Sequence, residues 1–374
     1  MGDYGKIVTG NTPPTKDVEN YENGMLLWAS PADLGTIKAI TETKTMLSAK
    51  GFSKTRAVPK GSVLVTCIGS TIGKTGMATT EMATNQQINS IVVNDNNDNE
   101  FVYYAIQSAF PRYLSSIAVQ AVPIISKSAF ELLPNKRPDL HEQKKIGKFL
   151  SLLDERIATQ NKIIEDLKKL KCAIIEKVLN DSYYDNLRLG DVGSYIRGLT
   201  YNSNDVVVYA GTLVMRSNNI VNGSSLDYKN NVVSVNKQIS QEQQLQKGDI
   251  VICMANGSST LVGKSSFYDG KCSFPITVGA FCGIYRSKMP VTKWLFQTNR
   301  FRRYIWKSLQ GGNGAIANLN GEDILRMQFP IPDKQTAERC TKLLSSLDSL
   351  IESDVSLCSK YSQQKEYLLC QMFI

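Results

Sequence analysis

An internal repeat with a period close to half the chain length constrains this sequence more than any other feature. Residues 138–154 read PDLHEQKKIGKFLSLLD and residues 332–348 read PDKQTAERCTKLLSSLD, an ungapped match at an offset of 194. Earlier segments follow suit. Gly2-Asp3-Tyr4-Gly5 recurs as Gly190-Asp191-Val192-Gly193 and Gly10 as Gly198, both at an offset of 188. Lys60-Gly61 before Val63-Leu64-Val65 recurs as Lys247-Gly248 before Ile250-Val251-Ile252, at an offset of 187. Solenoid repeats are far shorter, at about 20–50 residues. What is duplicated here is a whole domain with an appended helix, which suggests two similar tasks done side by side.

The pattern divides the chain into a first domain at 1–138, a helix at 139–187, a second domain at 188–332 and a second helix at 333–374. Within 374 residues each domain can bury a core of its own. Ser62–Ile68 and Ile88–Val93 are β-branched runs bounded by turn residues and read as strands. In the second domain Val206–Tyr209, Ile250–Met254 and Thr277–Tyr285 read the same way. Phe101–Ala109 and Lys293–Lys307 read as short helices, so the expected fold class is α/β (α+β), with a curled sheet in each lobe.

From Glu142 to Asn180 the periodicity changes to heptads. Steps of four and three pick out Ile146, Leu150, Leu153, Ile157, Gln160, Ile164, Leu167, Lys171, Ile174 and Val178. Their repeat equivalents are Cys340, Leu344, Leu347, Ile351, Asp354, Cys358, Tyr361, Lys365, Leu368 and Met372. Polar residues interrupt both seams at equivalent places, and a polar seam residue costs stability unless it finds a partner. The reading is an antiparallel coiled coil with Lys171 near Asp354 and Gln160 near Lys365. Independent surface helices are the alternative. A helix of about 40 residues spans roughly 60 Å, more than one lobe needs, so each helix reads as a spacer.

Charge is unevenly spread. Residues 1–138 carry a net +2, 139–187 are neutral, 188–332 carry +8 and 333–374 carry −1. A basic globular lobe suits a polyanion, though a merely soluble basic surface would look alike. The chain has a single histidine, His141, and eight cysteines with no Cys-x-x-Cys pair. Histidine-based acid–base chemistry and a Cys/His zinc site are therefore disfavoured. Cysteines in apolar or helical patterns, among them Cys67, Cys172, Cys253 and Cys340, read as buried reduced thiols of a cytoplasmic protein. No run of about 18 apolar residues is present, so no membrane span is implied. The start carries no apolar signal region and lies directly on the repeat, which makes a closely cropped N-terminus the expectation.

Two glycine-rich stretches approach a phosphate-binding loop without matching it. That loop requires four residues between its first glycine and the Gly-Lys pair. Three separate Gly69 from Gly73-Lys74, and five separate Gly257 from Gly263-Lys264. What remains in both is a hydroxyl-rich, lysine-bearing loop after a strand, suited to phosphate backbone or base edges. The candidates are Ser70, Thr71 and Lys74 in lobe one, and Ser258 and Lys264 in lobe two. Farther along, Arg300, Arg302, Arg303 and Lys307 interleave with Phe301, Tyr304 and Trp306. Helical spacing puts Arg300, Arg303 and Lys307 on one face and lets Phe301, Ile305 and Trp306 pack inward. A solvated helix face would show the same pattern. Amide groups of Asn85-Gln86-Gln87, Asn218-Asn219 and Asn313 are further candidates for base contacts.

Taken together, these residues resemble the DNA specificity subunits of type I restriction–modification systems, over essentially the full chain. The resemblance rests on the stretch from Asp139 to Ile146, on Leu150-Ser151, Leu153-Asp154 and Ile157, on Gly10-Asn11-Thr12-Pro13, on the Lys60-Gly61 strand entry and on Asn85-Gln86. It implies that each lobe is a target-recognition domain reading one half of a split double-stranded DNA target. It also implies helices that set the gap and carry two methyltransferase subunits. Those partners would bind S-adenosylmethionine and methylate adenine, while restriction subunits using ATP and Mg would cut unmodified DNA. The chain itself would have no catalytic centre and no cofactor. Two departures stand out: Thr336-Ala337-Glu338-Arg339 replaces the Glu-Gln-Lys-Lys run, and Leu133-Pro134-Asn135-Lys136-Arg137-Pro138 gives an unusually polar approach to the first helix. The DNA-contact candidates are thus Ser70, Thr71, Lys74, Gln86, Ser258, Lys264, Arg300, Arg303 and Asn313. The competing readings are a stand-alone two-lobe nucleic-acid-binding regulator without methyltransferase partners and a nucleotide-binding enzyme.

Overall fold

The computed structural model describes residues 1–116, 123–181, 183–208, 211–310 and 317–373. The chain forms two compact units, Met1–Asn161 with Ser356–Ile374, and Lys162–Val355. Each combines one β-rich lobe with a segment of both long helices.

In the first unit, Val63–Thr66 is the centre of a five-stranded sheet. Its order runs Gly5–Thr9, Ile88–Val93, Val63–Thr66, Thr75–Ala78 and Ala39–Ile40. The first four pair antiparallel and the last joins parallel. Val63–Thr66 is buried along its whole length, which accounts for its unbroken apolar and β-branched sequence. One side packs on the helix Asn99–Ser116 through Phe101, Val102, Ala105, Ile106 and Ala109.

The second unit repeats this plan. Gly193–Arg197, Cys282–Ser287, Ile250–Cys253 and Ser265–Phe267 form an antiparallel sheet in the same order as the first four strands of lobe one. Its core gathers Ile250, Ile252, Tyr285, Trp294, Phe296 and Phe301. The single strand expected over residues 277–285 is instead two, Ile276–Val278 and Cys282–Ser287, in different sheets. A turn at Gly279–Phe281 breaks the run, with the Cys282 amide bonded to the Gly279 carbonyl at 2.8 Å. The helix expected at 293–307 is likewise two, Thr292–Leu295 and Asn299–Gln310.

The long helices are Leu140–Leu179 and Lys334–Met372. Equivalent aspartates cap them. Asp139 Oδ1 accepts the Glu142 amide at 2.9 Å, and Asp333 Oδ1 accepts the Thr336 amide at 3.0 Å. The Thr336 hydroxyl and amide hold the Asp333 carboxyl below its usual range.

Within each unit the helix segments pair antiparallel. In the first, Lys365 meets Asp154 at 2.6 Å and Cys358 Sγ lies 3.4 Å from Asn161 Oδ1. In the second, Lys171 meets Asp348 at 2.6 Å. The expected partners were Asp354 for Lys171 and Gln160 for Lys365, so the register differs by six residues in both cases. The new pairs are repeat equivalents of one another, since Asp348 corresponds to Asp154 and Lys365 to Lys171. All ten apolar seam residues singled out (Ile146, Leu150, Leu153, Ile157, Ile164, Leu167, Leu344, Leu347, Ile351 and Leu368) are buried or half-buried. Several face a lobe as well as the partner helix. Ile146, Leu150, Leu153 and Leu368 join the lobe-one core, while Leu344 and Leu347 join the lobe-two core. Cys67, Cys253 and Cys340 are buried, but Cys172 is exposed on its helix.

Candidate nucleic-acid interface

The two glycine-rich stretches are loops between antiparallel strands. Residues 69–73 turn Val63–Thr66 back into Thr75–Ala78, and residues 257–263 connect towards Ser265–Phe267. A phosphate-binding loop opens a helix, whose amides cradle the phosphates, so neither stretch has that geometry. The loops are held tightly at their last glycine. Gly73 and Gly263 have φ of 90° and 82°. A Cβ on Gly73 would approach Phe110 Cδ1 to 2.7 Å, and one on Gly263 would approach Ile305 Cγ1 to 2.7 Å. The neighbouring helix thus fixes where each loop projects its hydroxyls and lysine.

In lobe one Ser70 and Lys74 are exposed and Thr71 is half-buried. Gln86 is exposed on a different turn, where its Oε1 accepts the Thr12 hydroxyl at 2.5 Å. Its neighbour Asn85 is buried and serves the turn itself, accepting the Gln87 amide at 2.8 Å.

In lobe two Lys264 lies on a groove of about 580 Å³ with Thr260, Arg302, Ile305 and Trp306. Ser258 is exposed nearby and its hydroxyl pairs with that of Thr260 at 2.8 Å. On Asn299–Gln310, Arg303 is exposed, whereas Arg300 is half-buried and donates to Asn186 Oδ1 at 3.1 Å. Phe301 and Ile305 pack inward as expected, but Trp306 is 61% exposed. Lys264 is therefore brought together with Arg302 and Trp306, two residues not among the DNA-contact candidates. The signal for Arg302 was present in the sequence, since a helical step of four from Arg302 reaches Trp306. Asn313 lies outside the described residues. Asn219 is buried and structural, donating to the carbonyls of Asp227 and Asn230.

Among the described residues, no group of three or more His, Cys, Asp or Glu side chains is placed to hold a metal ion, and no helix is long and apolar enough to cross a membrane.

The β-rich lobe is thus present twice, each copy presenting a lysine- and hydroxyl-bearing loop and packed on segments of the long helices. The chain matches, over residues 1–169, the type I restriction modification DNA specificity domain. It is 28% identical over 191 residues to the type I restriction enzyme HindI specificity subunit of Haemophilus influenzae, covering 48% of this chain and 40% of that protein. It is 31% identical over 168 residues to the StySPI specificity subunit of Salmonella potsdam, covering 42% of this chain and 35% of that protein. These matches thus span well under two thirds of the relatives' own length. The MjaVIII specificity subunit of Methanocaldococcus jannaschii is 23% identical over 312 residues, covering 75% of this chain and 69% of that protein. The fold is shared with the crystal structure of a type I restriction–modification S subunit from M. genitalium, with a TM-score of 0.62 and 16% identity, over 99% of this chain and 93% of that one.

Proposed function

We propose that this chain is a non-catalytic, sequence-specific DNA-binding specificity subunit of a type I restriction–modification enzyme. Residues 1–138 and 188–332 act as target-recognition domains, each reading one half of a bipartite double-stranded DNA target. Residues 139–187 and 333–374 act as spacer helices. The observation that carries this reading is one sheet order built twice, with different exposed chemistry on each copy. Lysines and arginines neutralise phosphates, and polar loop side chains meet base edges. Ser70, Thr71, Lys74 and Gln86 serve lobe one. Ser258, Lys264, Arg300, Arg303 and Asn313 serve lobe two, where the net +8 concentrates the salt-sensitive part of binding.

Both long helices carry apolar residues that neither lobe covers. Phe149 and Leu152 in the first unit, and Leu343 and Leu350 in the second, are exposed. Phe149 and Leu343 are repeat equivalents. Such a pair suits two copies of one partner, taken here as the methyltransferase subunits. S-adenosylmethionine would sit on those subunits, ATP and Mg on restriction subunits, and the complex would be cytoplasmic. One solved structure with this fold concerns assembly and conformational transition of the type I system.

The test is co-purification with the methyltransferase chain. Two copies per specificity chain are expected, falling to one for Phe149→Asp or Leu343→Asp and to none for the double variant. Retention of both copies by the double variant would remove these positions from the docking surface. A chain that binds DNA alone and captures no methyltransferase would instead be a stand-alone regulator.

A further inference from the structure

The internal repeat lets one lobe serve as the reference for the other, and the comparison points to positions that choose the sequence read. Four backbone hydrogen bonds form the same frame twice. The Asn11 amide bonds the Thr84 carbonyl at 2.9 Å, and Leu199 bonds Val278 at 2.7 Å. The Asn85 amide bonds Ala29 at 2.9 Å, and Gly279 bonds Met215 at 2.8 Å. Cys67 bonds Gln87 at 2.7 Å, and Met254 bonds Phe281 at 2.9 Å. Ile88 bonds Asn85 at 3.1 Å, and Cys282 bonds Gly279 at 2.8 Å. The short turn that follows is also common to both. The Ser30 amide is capped by Asp33 at 2.8 Å and the Arg216 amide by Asn219 at 2.9 Å.

On this shared frame Gly10 and Thr12 recur as Gly198 and Thr200, while several neighbouring side chains differ in kind. Asn85-Gln86-Gln87 in lobe one stands where lobe two has Gly279-Ala280-Phe281. Ser30 is replaced by Arg216 and Pro13 by Tyr201. In lobe two this part of the frame borders a cavity of about 470 Å³, lined by Tyr201, Asn202, Arg216, Asn218 and Phe281 among others. Phe281 is 67% exposed at a turn between buried strands, so its ring is open to a ligand. Arg216 Nη2 donates to the Asn231 carbonyl at 3.1 Å, while its buried Nε has no hydrogen-bond partner among the described residues. A buried donor left unpaired costs free energy in the unliganded protein, and a ligand that supplies an acceptor recovers it.

We infer that this paired frame is the sequence-selecting site of each lobe, with Arg216 and Phe281 reading one half-site and Gln86 and Gln87 the other. The inference rests on the proposed function and names the residues that discriminate. The chemistry assigns the ligand on each side. Guanidinium groups favour the O6 and N7 acceptors of guanine, and an exposed aromatic ring favours the thymine methyl. Carboxamides favour the N6 and N7 pair of adenine. Lobe two is thus expected to select a G- or T-bearing element at this position, and lobe one an A-bearing element.

The experiment uses the chain in complex with its methyltransferase and a randomised duplex pool, scoring which sequences become methylated. Arg216→Ala and Phe281→Ala should relax selection by about tenfold or more at one half-site, leaving the other intact and binding to random DNA within about twofold. Gln86→Ala with Gln87→Ala should relax only the opposite half-site. Because Phe281 and Gln86 are exposed, Phe281→Ala and Gln86→Ala should melt as the parent does, and these two single variants decide the assignment if Arg216→Ala or Gln87→Ala, which lose hydrogen bonds to Asn231 and Asn85, folds less well. Unchanged selection in all variants, or equal relaxation at both half-sites, overturns this assignment while the proposed function stands. A parental complex with no sequence preference overturns both.

Discussion

The aspartate at the centre of the second helix pairing makes the sharpest stability prediction. Asp348 Oδ1 meets Lys171 Nζ at 2.6 Å and its Oδ2 meets Lys293 Nζ at 2.7 Å. The side chains of Lys171 and Asp348 are only 7% and 10% exposed. Replacing Asp348 with alanine takes from Lys171 and Lys293 the carboxylate they both contact, leaving Glu352 as the acid that still acts on Lys293. Removing one partner of a buried pair costs about 3–5 kcal/mol, and in a unit of this size about 1 kcal/mol moves Tm by about 2–4 °C. Asp348→Ala should therefore lower Tm by on the order of 10 °C. Asp154 provides the internal control. It holds one lysine, Lys365, with both side chains near 20% exposed, and accepts the Tyr104 hydroxyl at 2.5 Å. Asp154→Ala should cost only about 1–2 kcal/mol, since water reaches the lysine it releases.

The pH dependence has a definite sign. Burial holds the Lys293 ammonium below its ordinary 10.5, with Asp348 opposing that shift. Without Asp348 the folded-state value drops further. Between that value and 10.5 the unfolded chain binds more protons than the folded one, so stability rises with pH across that window. The Asp348→Ala deficit should shrink as pH is raised towards 10.5, and adding Lys171→Met with Lys293→Met should restore most of the loss. Urea unfolding of the four proteins is the assay. A cost below about 1 kcal/mol, or one equal to that of Asp154→Ala, would refute the account of this pair.

Three further outcomes follow from the geometry. Gly263→Ala should destabilise by more than about 1 kcal/mol in urea, because its positive φ and the close approach of Ile305 leave no room for a methyl group. Trp294→Ala, which empties a buried site, should cost about 3–5 kcal/mol in the same assay, while Trp306→Ala on the surface should stay within about 0.5 kcal/mol. Lys264→Ala or Arg303→Ala should weaken DNA binding across sequences and flatten the log K against log salt slope by about one unit in anisotropy titrations, whereas an unchanged slope removes that residue from the phosphate contacts.

Much of the frame was legible because it rests on local patterning. The strand at 88–93 was bounded correctly by Asn and Asp turn residues, and the heptads located both helices. Register was not legible from the heptads alone, because sliding an apolar seam by nearly two turns still buries apolar residues. The repeat does not choose between the registers, because Asp354 corresponds to Gln160 just as Asp348 corresponds to Asp154, but only the observed register gives each lysine an aspartate. Residues such as Arg216 and Phe281 gave no motif, since their role depends on backbone bonds between segments about 65 residues apart. Arg300 looked free on a helical wheel, yet Asn186 from a distant strand engages it. Tertiary partners of this kind lie beyond any local pattern.

The central claim, one frame carrying two different DNA readers, is tested most directly by mapping adenine methylation in host DNA with and without this gene, while the partner methyltransferase is expressed. The account predicts the loss of a single bipartite motif made of two unlike half-sites at a fixed gap. A methylation map that stays the same, or the loss of a single undivided motif, would contradict it.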